Sequence, residues 1–251
     1  MKNRHPDILI QLYSVHEYLF ADYAGTLGRL SDAGVRNAEL FWFDGQPPVA
    51  DMQRMFNDSG IRPLAMHVNF DVLSSSLTKV IDACGTLSVR DVVLPWIASE
   101  MRATDGFWRS FGRQLNKFGS ELQLNGIAFG YHNHDFEFSP ATPALPMQVL
   151  LDSTDAALVF WEMDTFWVEF AGQKVLDWLA RYGDRIRAIH FKDGRDRQMV
   201  ELGSGEFPWT EIFQRLSGLN TKYWILEQEE FPTGDPWLEL SHGLEFLATH
   251  Q

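Results

Sequence analysis

The segment QKVLDWLARYGDRIRAIHFKD, residues 173–193, contains one complete unit of the pattern that decides the fold. Apolar residues recur at helical spacing up to Tyr182, and Gly183 follows where a helix end favours a left-handed residue. The run Ile186–Phe191 is then mostly apolar, which is typical of a strand buried on both faces. Polar side chains stand at the end of this strand, at His190, Lys192 and Asp193.

The same unit repeats along the whole chain. Short β-rich runs predict eight strands: Ile8–Tyr13, Val35–Phe41, Arg62–Val68, Asp91–Trp96, Ile127–His132, Ala157–Met163, Ile186–Phe191 and Tyr223–Gln228. Intervening amphipathic segments predict helices at Glu17–Ala33, Asp105–Leu124, Leu145–Leu151, Gln173–Tyr182, Trp209–Leu216 and Trp237–Ala248. Gly60, Gly126 and Gly183 fall just past predicted helix ends, and Asp235-Pro236 is typical of a helix start.

Eight strands alternating with helices in 251 residues favour an α/β fold, the (β/α)8 TIM barrel, as a single domain over residues 1–251. The alternative is an open doubly wound sheet, which usually has a glycine-rich phosphate turn after its first strand. Here Ser14-Val15-His16-Glu17 follows that strand instead. The missing turn favours the closed barrel.

Composition and charge exclude several classes of protein. The net charge is −13, whereas a broad nucleic-acid surface requires an excess of Lys and Arg. No apolar run approaches the roughly 18 residues of a membrane span, and Ile8–Leu12 is too short for a signal or an anchor. One cysteine, Cys84, fits a reducing compartment. We therefore expect a soluble, cytoplasmic protein with neither nucleic acid nor membrane as its partner.

Residues that bind metals collect at the predicted strand ends. Five of the eight histidines lie there, together with several carboxylates: His16, His67, His132, His134, His190, Glu39, Glu162, Asp164, Glu227 and Glu229. In a barrel these ends meet at one mouth, where the active site lies. A site built from nitrogen and oxygen ligands suits Mn²⁺, Co²⁺ or Zn²⁺. Without a metal, several carboxylates together would repel one another.

Each of these residues also has a purely structural interpretation. His16 can be a hydrogen-bonded structural residue, Glu39 can form a buried ion pair inside the barrel, and Asp193 can cap a loop. Glu229-Glu230 can be a solvated rim. Trp42, Trp96, Trp161 and Trp167 can serve packing. The functional interpretation depends on these ends facing one mouth.

Several motifs occur in an order that resembles a known family. They are Gln11-Leu12-Tyr13-Ser14, Tyr131-His132-Asn133-His134-Asp135-Phe136-Glu137-Phe138, Asp164-Thr165-Phe166-Trp167-Val168 with Ala171-Gly172, His190-Phe191-Lys192-Asp193, Glu201-Leu202-Gly203-Ser204-Gly205 and Glu227-Gln228-Glu229. Together they resemble the sugar phosphate isomerase/epimerase family of the xylose isomerase-like TIM barrel superfamily. The resemblance covers nearly the whole chain.

The resemblance implies one divalent metal ion (Mn²⁺, Co²⁺ or Zn²⁺, with Mg²⁺ as an alternative) held from strands five to eight. Asp164, His190 and Glu227 match the ligands of strands six, seven and eight. The family's usual strand-five Glu is replaced here by His132. By alignment His132 takes the ligand position, and His134 or Glu137 could serve instead.

The implied reaction is isomerisation or epimerisation of a ketose or related sugar, by proton abstraction next to a carbonyl through a metal-stabilised enediolate. Glu227 would be the base, with His132, His134 or Glu137 as its partner. Lys192 projects to the same side of its strand as His190 and could hold a substrate oxygen. The sugar pocket would be lined by His67, His134, Trp42 and Trp167.

Two other functions stay open. A lyase or dehydratase acting on a keto-sugar, keto-glycoside or inosose needs only one proton abstraction. The replacement of the family's usual Glu by His132 would allow this reaction. A non-catalytic sugar-binding barrel would not need Asp164, His190 and Glu227. Backbone N–H groups of Glu201–Gly205 could bind phosphate, but no Arg cluster lies near, which favours an unphosphorylated sugar. Barrels of this type are often homo-oligomers, and that analogy leaves the oligomeric state open.

Overall fold

The computed structural model describes residues 5–102, 106–139 and 144–251 and contains a closed barrel of parallel strands. The strands of the described chain are β1 Asp7–Gln11, β2 Asn37–Phe41, β3 Arg62–His67, β4 Asp91–Leu94, β5 Ala128–His132, β6 Val159–Asp164, β7 Ile186–Phe191, β8 Asp193–Arg195, β9 Gln198–Val200 and β10 Tyr223–Leu226. Around the barrel the order is β1, β10, β7, β6, β5, β4, β3, β2. The predicted fold is confirmed, since each predicted strand overlaps one barrel strand.

The hairpin β8–β9 lies outside the barrel, and the sequence did not predict it. Its strands are three residues long each and antiparallel, so they show no extended apolar run. The predicted first strand extends too far, because Tyr13 belongs to a 3₁₀ turn, Leu12–Val15. Apolar residues continue past the strand end there, and periodicity alone does not show where the hydrogen-bonded ladder stops.

Helices cover the outside of the barrel. They are α1 His16–Ala21, α2 Tyr23–Asp32, α3 Val49–Ser59, α4 Phe70–Leu87, α5 Ser99–Arg102, α6 Phe107–Leu124, α7 Pro146–Ser153, α8 Thr165–Phe170, α9 Val175–Tyr182, α10 Trp209–Leu216 and α11 Pro236–Thr249. Helices α4, α5 and α8 have no counterpart among the predicted segments, and for α3 only the end at Gly60 was predicted. The predicted start of α6 at Asp105 lies outside the described residues. Across the described ranges, no helix is both long and apolar enough to cross a membrane.

Two local predictions were wrong. The helix predicted over Glu17–Ala33 is interrupted at Asp22, whose backbone is extended and whose carboxylate accepts the N–H of Gly25, capping α2. Gly183 was expected to be left-handed, but its φ is −53°. A side chain at Gly183 would meet Leu219, so close packing explains the glycine there. Gly60 and Gly126 do adopt positive φ, as predicted.

The inside of the barrel changes from apolar to polar along its axis. Alternate residues of a strand point inward. Successive inward-facing residues are therefore Ala65 and then His67 on β3, and Ala188 and then His190 on β7. At β10 the inward-facing residues are Ile225 and then Glu227, which comes directly after the strand. Leu9, Ala65, Ala188, Tyr223 and Ile225 form a separate apolar cluster within the barrel. The polar layer at the carboxyl ends of the strands is therefore supported from below by packed apolar side chains.

Candidate active site

Four buried side chains meet at the carboxyl ends of the strands. His132, Asp164, His190 and Glu227 each present one ligand atom, and these atoms all lie within 4.8 Å of one another. We call these four residues the outer cluster. Strand pairing helps to assemble it, because Asp164 on β6 is in register with His190 on β7. His190 Nδ1 lies 2.7 Å from Glu227 Oε2, and His132 Nε2 lies 3.9 Å from Asp164 Oδ2.

A second set of buried side chains, Glu39, His67 and Glu162, lies against the other nitrogens of the same two histidines, and we call these three residues the inner cluster. His190 Nε2 is 2.8 Å from Glu39 Oε2, and His132 Nδ1 is 3.2 Å from Glu162 Oε1. His67 Nε2 lies 2.7 Å from Glu162 Oε1. His132 and His190 therefore present one ring nitrogen to each cluster.

Opposite charges hold the inner cluster together. Burial would lower the pKa of His67, but the carboxylates of Glu39 and Glu162 outweigh it and raise the pKa to about 9. Burial would likewise raise the pKa of Glu39, but His67 and His190 lower it to about 2. In the metal-free chain Glu39 and His67 consequently form an ion pair.

Lys192 is a buried cation beside the outer cluster. Its Nζ lies 2.8 Å from Glu227 Oε2, 2.8 Å from Glu229 Oε1 and 3.3 Å from Asp164 Oδ2. Burial would lower the pKa of Lys192, but these carboxylates raise it well above its ordinary value. The ammonium group stays charged and draws the three carboxylates together.

The outer cluster fits a divalent metal ion. It combines two imidazoles with two carboxylates, a donor set that suits several divalent transition metals. Burial, reinforced by neighbouring positive groups, holds the pKa of His132 well below its ordinary value, so its ring is in the neutral form that binds metals. Asp164 Oδ2 is buried and accepts no hydrogen bond from the residues that the structure describes. His132 and Asp164 thus offer free ligand atoms, whereas a metal would take the place of the contact between His190 and Glu227.

A cavity of about 440 Å³ opens above the clusters. Seven of the side chains predicted for the site line it: Trp42, His67, His132, His134, Trp167, Lys192 and Glu227. Asp164 and His190 are fully buried beneath its floor. The structure thus brings the predicted ligands and the predicted substrate-binding residues to one mouth.

Glu137 is not among the residues that line the cavity. Tyr131 Oη donates to its Oε1, and the backbone N–H of His134 donates to its Oε2 at 2.9 Å. Burial raises the pKa of Glu137 to about 8, against the effect of these hydrogen bonds. Its carboxyl group supports the turn after β5, at a place where it does not face the cavity.

Several structural interpretations can be compared with the contacts observed. His16 Nδ1–H donates to the Tyr13 carbonyl at 2.7 Å, as a structural histidine would. Trp161 is fully buried in the core, whereas Trp42 and Trp96 line the cavity with Trp167. Glu229, expected on a solvated rim, is exposed at the cavity edge and also bonds to Lys192.

Asp193 does cap a loop, as one interpretation of the sequence expected. Its carboxylate accepts the N–H groups of Gly203 and Gly205, both at 3.0 Å, and Trp209 Nε1–H at 2.7 Å. These glycines belong to the segment considered for phosphate binding. Since their N–H groups are already bonded, the segment offers little to a phosphate.

Sequence reasoning assigned Glu162 no particular role in the site, although a signal was present. Glu162 and Asp164 are two residues apart on β6, so both side chains point into the barrel. The register of β6 also shifts between Trp161 and Glu162, and the register of β2 shifts between Ala38 and Glu39. Such irregularities often occur beside active sites, where they redirect a side chain.

Comparison with known proteins gives relatives over most of the chain. Residues 29–250 match the family described as xylose isomerase-like TIM barrel. An inosose dehydratase of Clostridium perfringens is 26% identical over 145 residues, which are 50% of this chain and 48% of that protein. The chain spans about half the length of the curated relatives it matches.

Solved structures share the whole barrel. A sugar phosphate isomerase/epimerase of Parabacteroides distasonis superposes with a TM-score of 0.83 at 23% identity, covering 97% of this chain and 98% of that one. A D-allulose 3-epimerase from Methylomonas sp. gives 0.74 at 14% identity, with 99% of each chain covered. At such identities the likeness shows the fold. With the match over residues 29–250, the closed barrel establishes that this chain belongs to the xylose isomerase-like TIM barrel family.

Proposed function

We propose that this protein removes a proton from the carbon next to a carbonyl group in a small, unphosphorylated sugar or cyclitol derivative. The observation that carries the proposal is the placement of Glu227, Lys192 and His134 on the wall of one cavity, directly above a cluster that can hold a metal. The first candidate activity is that of an isomerase or epimerase acting on a ketose or related sugar.

We assign one divalent metal ion to His132, Asp164, His190 and Glu227. Two imidazole ligands favour Mn²⁺, Co²⁺ or Zn²⁺ over Mg²⁺, which prefers oxygen ligands and water. When bound, the ion supplies Lewis-acid polarisation of the substrate carbonyl. The remaining chemistry belongs to side chains of the chain itself.

Glu227 is the proposed base. Burial would raise its pKa, but Lys192 and His190 outweigh it and hold the pKa well below its ordinary value. The carboxylate is therefore ionised and able to accept a proton. Contacts of 2.8 Å to Lys192 Nζ and 2.7 Å to His190 Nδ1 also fix its orientation, as proton transfer within hydrogen-bond reach requires.

Lys192 and His134 complete the proposed assignment. The ammonium group of Lys192, beside Glu227, can hold the substrate oxygen on which negative charge develops. Burial, with the nearby charge of Lys192, lowers the pKa of His134 to about 3, so its ring is neutral and can take part in a second proton transfer. Glu227 follows β10 and His134 follows β5, on different sides of the barrel.

Elimination is the second candidate activity. Among the described residues that line the cavity, the two carboxylates are Glu227 and Glu229, and both follow β10. The side formed by β5 offers imidazoles instead of a second carboxylate. A lyase needs one proton abstraction and one acid for the leaving oxygen, and therefore does not require a second carboxylate as a base. The match to an inosose dehydratase supports this alternative.

Deuterium incorporation distinguishes the two activities. Manganese-loaded protein is incubated in D₂O with a panel of ketoses, inososes and keto-glycosides, and products are analysed by mass spectrometry and NMR. Deuterium in a product that is an isomer of its substrate indicates isomerisation or epimerisation. Loss of water or of a substituent indicates elimination.

Two variants make the test specific to Glu227. Glu227→Gln should abolish exchange because the amide cannot accept the proton. Glu211→Gln, a matched change on the exposed surface of α10, should leave exchange unaltered. Absence of exchange with every substrate of the panel, or full exchange by Glu227→Gln, would contradict the proposal.

A further inference from the structure

The cavity is divided into a polar part and an aromatic part. The residues assigned to metal binding and proton transfer come from strands β5 to β10 and the turns after them. The opposite side comes from the segments that follow β1, β2 and β4 and consists largely of rings. We call this side the aromatic rim: Tyr13, Phe20, Phe41, Trp42, Phe43 and Trp96.

Contacts between its rings hold much of the rim in place before any ligand arrives. Tyr13 meets Phe41 edge-to-face at 5.3 Å, Phe41 stacks on Phe43 at 5.1 Å, and Phe20 lies 4.8 Å from Phe43. Even so, Phe20 is 56% exposed, Trp96 48% and Tyr13 40%. Contiguous exposed apolar surface of this kind commonly marks a binding site.

The charges of the cavity exclude an anionic ligand group. Within the described lining of the cavity, Lys192 is the one Lys or Arg side chain, and three carboxylates already surround it. Phosphate binding depends on available cations or free backbone N–H groups. Any part of a ligand that lies against the aromatic rim is therefore not anionic.

The aromatic rim is also more apolar than a single sugar ring requires. One sugar over the polar part would use its hydroxyl groups there and leave the exposed rings uncovered. The cavity volume of about 440 Å³ falls within the range of about 300–1,000 Å³ typical of sites that enclose drug-sized ligands. Aromatic side chains pack well against apolar or aromatic rings.

We infer that the aromatic rim is a subsite for the apolar or aromatic substituent of a glycoside whose sugar ring occupies the polar part. The substrate class is then a keto-glycoside rather than a free ketose. This inference rests on the proposed function, because it takes the polar part to be the place of reaction. The expected effect is on the affinity for the substituent.

Calorimetry with two unreactive probes tests the subsite. Phenyl β-D-glucopyranoside and methyl β-D-glucopyranoside share a sugar and differ in the group that would reach the rim. We expect the phenyl glucoside to bind at least about tenfold more tightly to the wild-type protein, as stacking against aromatic side chains provides. Phe20→Ala and Trp96→Ala should each reduce that ratio and leave the affinity for the methyl glucoside within about twofold.

Leu124→Ala is the matched control, since Leu124 is an 85% exposed apolar residue at the end of α6, outside the cavity lining. It should leave the ratio of the two affinities unchanged. Equal affinities in the wild-type protein, or no measurable binding of either probe, would overturn the inference. So would a phenyl preference that survives in both rim variants.

The oligomeric state and the deuterium exchange of the protein complete the test of the rim. The aromatic rim could instead be buried between two copies of the chain. The protein would then be a dimer, Phe20→Ala would dissociate it, and the wild-type protein would not prefer the phenyl glucoside. That result would overturn the inference. A phenyl preference without deuterium exchange would contradict the proposed function and leave the subsite standing. Exchange with free ketoses but no phenyl preference would contradict the subsite alone.

Discussion

The two ends of the barrel both bury charged groups, but they satisfy them differently. At the amino ends of the strands, Asp91 on β4 is fully buried. Its Oδ1 accepts from Arg187 Nε, and its Oδ2 accepts from Lys222 Nζ and from Tyr223 Oη, the latter at 2.9 Å. Each oxygen of this buried carboxylate therefore has a donor supplied by the chain.

At the carboxyl ends, the chain leaves polar atoms without hydrogen bonds, although Asp164 Oδ2 lies 3.3 Å from Lys192 Nζ. Glu39 Oε1, Glu162 Oε2 and Asp164 Oδ2 are buried and have no hydrogen bond within the described parts of the chain. Leaving such atoms unpaired costs free energy of about 1–3 kcal/mol each. Buried polar groups that lack partners require a physical reason, such as a missing ion or a role in the reaction.

The comparison teaches which network belongs to the fold and which belongs to the reaction. Asp91 links β4 with β7 and β10 across the bottom of the barrel, and its contacts need nothing from outside. The outer cluster, in contrast, has atoms free for a ligand. These unbonded atoms lower the stability of the metal-free protein. Active sites commonly lower stability in this way, because the arrangement that is best for function is not the most stable one.

The largest expected effect comes from substituting one aspartate at each end. Asp91→Asn should lower the free energy of unfolding by about 2–3 kcal/mol, less than a fully buried ion pair would lose, because Arg187 and Lys222 are partly exposed. Burial raises the pKa of Asp164, so its charge is unfavourable in the folded metal-free protein. Asp164→Asn should therefore change the stability by less than about 1 kcal/mol.

Urea denaturation measures both stabilities, and manganese titration completes the test. Asp164→Asn should bind manganese at least about 100-fold more weakly, because it removes a ligand, whereas Asp91→Asn should bind it as the wild-type protein does. Similar losses of stability in the two variants would break the distinction between the ends. Unchanged manganese affinity in Asp164→Asn would remove Asp164 from the ligand set.

A smaller effect is expected at the inner cluster. Glu39 Oε2 accepts from His190 Nε2 and Gln11 Nε2, both at 2.8 Å, and thereby fixes the ring whose Nδ1 faces the outer cluster. Carboxylates that orient a ligating histidine typically change metal affinity by about 10–100-fold when substituted. Glu39→Gln should therefore weaken manganese binding by about that factor.

Cobalt absorption provides a readout for Glu39→Gln that does not depend on activity. A cobalt-loaded variant should show altered ligand-field bands, since the His190 ring is less tightly oriented. Asp91→Asn, at the far end of the barrel, should give the wild-type spectrum. Wild-type affinity and spectrum in Glu39→Gln would show that the inner cluster serves stability alone, as Asp91 does.

A further comparison concerns the pH dependence of stability. Burial raises the pKa of Glu137 from an ordinary value of 4.5 to about 8 in the folded protein. The folded state then binds a proton that the unfolded state has lost, so this contribution to stability is complete below pH 4.5 and disappears as the pH rises to about 8. The free energy of unfolding should consequently fall over this interval.

Glu137→Gln isolates that contribution because its amide does not titrate. It can still accept the His134 N–H and can donate to Tyr131 Oη. Urea denaturation at pH 5, 7 and 9 should show the wild-type protein losing stability relative to the variant as the pH rises. Parallel curves for the two proteins would mean that Glu137 is ionised throughout, like Glu39.

Local patterns were sufficient for much of the fold and for part of the site. Ile186–Phe191 is apolar and continuous, so it was recognised as a buried strand with the same bounds that the structure has. The break at Asp22 was missed, because apolar spacing continues through it and only the cap on Gly25 interrupts the helix. Glu162 received no particular role, since its partner His67 lies 95 residues away in the chain.

The sequence by itself determined the alternation of strands and helices and the residue types at the strand ends, because both follow from periodicities that act over a few residues. Only the tertiary structure decided that Glu39 meets His190, 151 residues later, and that each shared histidine turns one nitrogen to each cluster. It also decided that Glu137 bonds to Tyr131 and does not face the cavity. Closure of the barrel and packing around each side chain set these directions, and neither leaves a signal in the local pattern.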